Sequence, residues 1–104
     1  MESDSTVPRT LISRGDVVLN LNGRDGGRMF YVLRTDGDFA EIADGITRLI
    51  EKPKRKKTKH MKLLDVPATR LADKIRTDAK ITNAELRRTM RNLRETADVK
   101  LTEV

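Results

Sequence analysis

From Asp16 to about Ile50 the apolar positions fall in short runs broken by turn dipeptides. Val17, Leu19 and Leu21 alternate with Val18 and Asn20, the pattern of a half-buried strand. Asn22-Gly23-Arg24-Asp25-Gly26-Gly27 follows, a stretch dense in residues that tolerate positive φ. Met29-Phe30-Tyr31-Val32-Leu33 is rich in strand formers and apolar on both faces. Asp36-Gly37 then predicts a hairpin turn into Phe39-Ala40-Glu41-Ile42-Ala43, and Asp44-Gly45 a second turn into a strand at Ile46–Ile50. Pro53 ends that strand or marks an edge, and His60–Leu64 reads as the last strand. Short strands at close, regular spacing predict a small barrel.

The period changes after Pro67. Ala68, Leu71, Ala72 and Ile75 lie at i, i+3, i+4 and i+7, one helical stripe. A second helix, about Asn83–Thr96, starts with a capping box of Thr82 and Glu85, and Ile81 with Leu86 fits a hydrophobic staple. Its stripe is Leu86, Met90, Leu93 and Ala97. The organisation expected is a disordered lead-in over 1–10, a five-stranded barrel over 11–64 and a helical hairpin over 67–98. Two short amphipathic helices are not stable alone in water, so they must pack on each other, on the barrel or on a partner.

Charge changes the picture. The 104 residues carry a formal net charge of +6, but 52–62 alone hold seven Lys/Arg and no acid. Residues 1–51 hold six Lys/Arg against nine acids, and 63–104 nine against seven. A positive charge gathered in eleven residues is the footprint of a polyanion partner. Lys52, Lys54, Arg55, Lys56, Lys57, Lys59 and Lys62 add affinity through counterion release. Because they repel one another, the fold is not expected to need them. In the earlier loop, glycines permit close approach of backbone to phosphate, and exposed N–H groups in such a turn bind anions. Arg24 and Arg28 flank it and can reach phosphate or stack on a base. Gly23 and Gly27 serve either that purpose or ordinary turn geometry.

Other chemistry finds little support. There is no cysteine, hence no disulfide or thiolate metal site, in keeping with a reducing compartment. His60 is the only histidine, and no P-loop, paired histidine or nucleophile with a base is present. We therefore expect no catalytic residues, no metal, no cofactor and no enzyme. The polar, acidic start and the absence of a long apolar run predict a cytoplasmic protein without a membrane partner. Aromatics are only 3% of the chain, namely Phe30, Tyr31 and Phe39; they read mostly as core, one at a sheet surface could stack on a base, and they are too few for a proline-peptide groove.

The stretch Arg14–Leu63 resembles the KOW family. The resemblance is carried by Gly15-Asp16-Val17-Val18-Leu19, by the G-x-x-x-G loop Gly23-Arg24-Asp25-Gly26-Gly27 with Arg28 after it, and by the strand Met29–Leu33. Downstream, Ala43-Asp44-Gly45, then Glu51-Lys52-Pro53-Lys54 and the lysine-rich residues ending at His60 look like the bacterial KOW-domain RNA-binding proteins. Those are grouped with the eukaryotic-type large-subunit ribosomal proteins fourteen, six and twenty-seven. Gly26 stands where that family usually carries a lysine. The resemblance implies a mainly β fold, an SH3-like barrel; the α-helical extension that follows is no part of the KOW pattern and inherits nothing from it. It also implies binding to structured RNA, ribosomal RNA first, as a ribosomal or ribosome-associated protein. An alternative remains open: KOW domains also dock proteins of the transcription or translation machinery, and the C-terminal helices would then offer the contact. Binding that survives nuclease and high salt would mark that alternative.

Overall fold

The computed structural model describes residues 11–23 and 26–103, with side chains described as far as Thr96. The expected lead-in at 1–10 and the loop residues Arg24 and Asp25 lie outside the described residues. Five strands run in the order β1 (Val17–Asn20), β2 (Met29–Asp36), β3 (Phe39–Ala43), β4 (Lys54–Lys57) and β5 (Met61–Leu64). A single 3₁₀ turn, Thr58–His60, joins β4 to β5. Two helices follow, α1 (Arg70–Arg76) and α2 (Asn83–Glu103). The strands form one antiparallel sheet ordered β4-β3-β2-β1-β5. The fold is mainly β with an α extension.

The edges of this sheet cannot lie far apart. Four interstrand spacings would separate β4 from β5 by about 19 Å if the sheet were flat. Lys57 and Met61 are only four residues apart in sequence, a reach of at most about 14 Å. The sheet must therefore curl, and the β1–β2 loop already touches β4: Lys56 Nζ donates to the Asn22 carbonyl at 3.0 Å.

Both faces of the sheet are covered. On one, Val17, Tyr31 and Ala43 form a buried cluster with Leu71, Ala72, Ile75, Leu86, Met90 and Leu93 of the helices. On the other, Val18, Phe30, Val32, Ala40 and Ile42 pack with Ile12 and Met61. This corrects the expectation for β1 in part, since Val17 is buried as expected. Leu21 lies past the strand and is 52% exposed, whereas Val18 and Asn20 are fully buried. A central strand with packing on both sides has no solvent face to keep polar. Both polar side-chain atoms of Asn20 are buried without a protein partner.

Two further expectations are corrected. Ile46–Ile50 is not a strand. The Asp44 carboxylate accepts from the backbone N–H groups of Ile46, Thr47 and Arg48, each at 2.9 Å, and from the Thr47 hydroxyl. Asp44 N and Gly45 N both donate to the Arg48 carbonyl. These bonds curl the segment into a loop despite its apolar residues, and only a Leu49–Lys52 bridge remains. The missing strand is supplied by the basic run, which pairs with β3 over Phe39↔Lys57, Ala40↔Lys56, Glu41↔Arg55 and Ile42↔Lys54. Thus part of the run belongs to the fold.

The helices are docked. Thr69 caps α1, accepting from Ala72 N at 3.0 Å, and its hydroxyl also bonds Tyr31 Oη at 2.7 Å. Thr82 accepts from Glu85 N, but the Glu85 carboxylate goes to Lys74 at 2.8 Å, so the capping box is half formed and its acid ties α2 to α1. α2 extends beyond the expected end at Thr96, to Glu103. Asn83 Oδ1 accepts from Ile50 N, and Arg87 donates to the Gly45 carbonyl. Leu71, Ala72, Ile75, Leu86, Met90 and Leu93 of the two stripes are thus buried against the sheet, while Ala68 is exposed and the Ala97 side chain lies outside the described residues.

Candidate nucleic-acid interface

The interface grows from one edge. β4 carries Lys54, Arg55, Lys56 and Lys57 with no apolar residue among them, as suits an edge strand guarded by charge. Directly opposed residues of an antiparallel pair share a face, so β4 divides its cations into two rows. Lys54 and Lys56 stand with Ile42 and Ala40, while Arg55 and Lys57 stand with Glu41 and Phe39.

The first row meets the glycine loop. Besides its bond to Asn22, Lys56 Nζ lies 3.4 Å from where a Cβ on Gly23 would sit. Gly23 has φ +83° and Gly27 φ +84°, the left-handed region that glycine enters without strain. Asn22 Nδ2 lies 3.2 Å from His60 Nδ1, and Leu21 N donates to the His60 carbonyl. The loop, β4 and the 3₁₀ turn thus form one continuous surface. Two of the loop amides are already used: Gly26 N donates to Gly23 O and Gly27 N to Asn20 O. Those amides shape the loop, so its cationic partner is Lys56.

The second row gathers on Phe39. The Arg55 guanidinium carbon sits 4.3 Å from the ring centroid and Lys57 Nζ 5.8 Å. Arg55 also lies 3.6 Å from the Asp36 carboxylate. Across the ladder, Glu41 is bound by Arg34.

The other expected positions are more scattered. Arg24 lies outside the described residues. Arg28 leans 3.8 Å from the nearly buried Asp44 carboxylate. Lys52 sits in the turn before Pro53, its N–H donating to Leu49 O. Lys59 lies in the 3₁₀ turn, and Lys62 lies on β5, where it opposes Leu19 of β1. The structure therefore brings Gly23, Lys54, Arg55, Lys56, Lys57 and Lys59 to one edge and its adjoining turn. Phe39 and Asn22 belong to this edge as well. Sequence reasoning counted Phe39 chiefly as core. The signal for its place beside the cations appears only when the basic run is recognised as a strand, since alternation then sets Arg55 and Lys57 on its face.

Among the described residues no group of three or more Asp, Glu or His is placed to hold a metal ion. No helix among them is long and apolar enough to cross a membrane. Comparison of the chain with models of known protein families and with curated proteins finds no match.

Proposed function

We propose that this chain binds structured RNA, ribosomal RNA first, as a cytoplasmic ribosomal or ribosome-associated protein. The observation that carries the reading is the apposition of the glycine loop to β4, with Lys56 bonded to Asn22 across the gap. Two segments, both singled out for phosphate chemistry, meet on one surface although Asn22 and Lys56 are 34 residues apart in sequence. Cations fixed on a strand present a row at a spacing of about 6.6 Å for alternate residues, close to the separation of successive phosphates along an extended strand of nucleic acid.

The fold reading that accompanies it is an SH3-like barrel of the KOW kind. Its support is the strand order, with β4 and β5 at opposite edges yet joined by one three-residue turn. RNA in preference to DNA rests on the resemblance of Arg14–Leu63 to KOW proteins; the cations attract either polyanion. The test is purification of the chain from cells at low salt, followed by sequencing of the RNA that accompanies it. Enrichment of discrete ribosomal RNA segments is expected. Recovery of protein partners that persist after nuclease and high salt, with no enriched RNA, would overturn the reading in favour of a protein-docking module.

A further inference from the structure

We propose that Phe39 and Arg55 form a stacking platform for an unpaired nucleobase, so that the RNA recognised carries a loop or bulge rather than an uninterrupted duplex. The inference rests on the RNA reading above and deepens it. Phe39 is half-buried at the start of β3, and the Arg55 guanidinium lies over its ring at 4.3 Å. The Arg55 side chain remains 49% exposed. A guanidinium is planar, weakly hydrated and suited to stacking, unlike an ammonium, and bases splayed from single-stranded RNA stack on aromatic rings and Arg planes.

The charge around the pair favours a base over a phosphate. Asp36 lies 3.6 Å from Arg55, and Glu41 is bound by Arg34 on the same face. These carboxylates offset much of the local positive charge, so the spot is a poor counterion for backbone phosphate compared with Lys56, whose ammonium meets only the neutral Asn22 carbonyl at the glycine loop. What it offers is a flat cation held on a ring, with a carboxylate acceptor at its edge suited to the amino group of a base. Lys57, 5.8 Å from the ring centroid, supplies the flanking cation for the attached phosphate. The two faces of β4 thereby divide the work: one row grips backbone beside the glycine loop and the other accepts a base.

The test uses the full chain and two RNA probes of equal length. One is a hairpin with 2-aminopurine in its loop, the other a blunt duplex. The wild-type protein is expected to bind the hairpin more tightly and to change the 2-aminopurine emission as the base stacks. Arg55→Lys keeps the charge and removes the plane. It should weaken hairpin binding on the order of tenfold, abolish the emission change and leave duplex binding unaltered. Phe39→Leu should act alike, and because Arg55→Lys alters only an exposed residue, any loss of folding in the Phe39 variant leaves the test intact. Equal affinity of wild type for both probes, or an Arg55→Lys variant indistinguishable from wild type on both, would overturn the platform while RNA binding itself stands. Wild type binding neither probe at low salt would overturn the RNA reading and the platform with it.

Discussion

Single residues hold the sheet and helices in register, and Gly45 is the glycine pressed closest to the backbone of another element. Its φ is +80°, and a Cβ there would lie 2.6 Å from the Asn83 carbonyl and 3.0 Å from Arg87 N, both backbone atoms of α2. Gly45→Ala combines left-handed strain with an unrelieved clash, and should cost at least about 2 kcal/mol in denaturant unfolding. Asp78 is the converse case, the one described non-glycine residue with positive φ, at 62°. It ends α1, with Ala79 N donating to Lys74 O, and pairs with Arg14 on the surface. Because an exposed ion pair contributes little and glycine relieves the strain, Asp78→Gly should raise stability by about 0.5–1 kcal/mol. Tyr31 couples stability to pH. Burial pushes its phenol above the usual value of 10.0, opposed in part by the bond to Thr69 and by Arg76. Its folded pKa is raised, so its contribution is intact below pH 10 and lost as pH rises from there through the raised value. The difference in melting temperature between wild type and Tyr31→Phe should therefore be constant to about pH 9 and shift toward the Phe variant at higher pH.

At the scale of elements, legibility in the sequence followed the apolar pattern. β2, β3 and both helices declared themselves because one or both faces are buried, and period 2 or 3.6 records that burial. β4 did not, because an edge strand of four cations has no apolar position for a period to mark. Ile46–Ile50 misled for the opposite reason: its apolar residues are strand-like, but the Asp44 side chain captures the three backbone N–H groups that a ladder would need. The interface was legible in composition and not in arrangement. The run at 52–62 was plain, yet its division into two rows and the place of Phe39 depend on pairing register, which charge does not encode. Since Arg55 and Lys57 are exposed and Lys54 and Lys56 only half-buried, replacing Lys54, Arg55, Lys56 and Lys57 by Thr, a good strand former, should change stability by no more than about 1 kcal/mol. A thermal melt checks this; loss of the cooperative transition would show that these residues hold the sheet together.

Across the whole molecule, sheet and helices share one buried cluster, in which Val17, Tyr31 and Ala43 meet Leu71, Ile75, Leu86 and Met90. Such sharing predicts one cooperative unit. In hydrogen exchange, the amides of Leu86–Leu93 should be protected as long as those of Met29–Leu33, whereas earlier exchange in α2 would reveal a separable helical part. The arrangement sets the helices on one face of the sheet and leaves the β4 edge with its glycine loop for the proposed RNA partner. The central claim is that this edge grips RNA, and salt dependence tests it most directly. Binding of a ribosomal RNA fragment is measured over a range of salt for wild type and for the fourfold Thr variant of β4. Each phosphate contact contributes about 0.7–0.9 to the slope of log K against log salt, so the variant should bind far more weakly, with a slope lower by on the order of three. An unchanged slope in a folded variant would contradict the account.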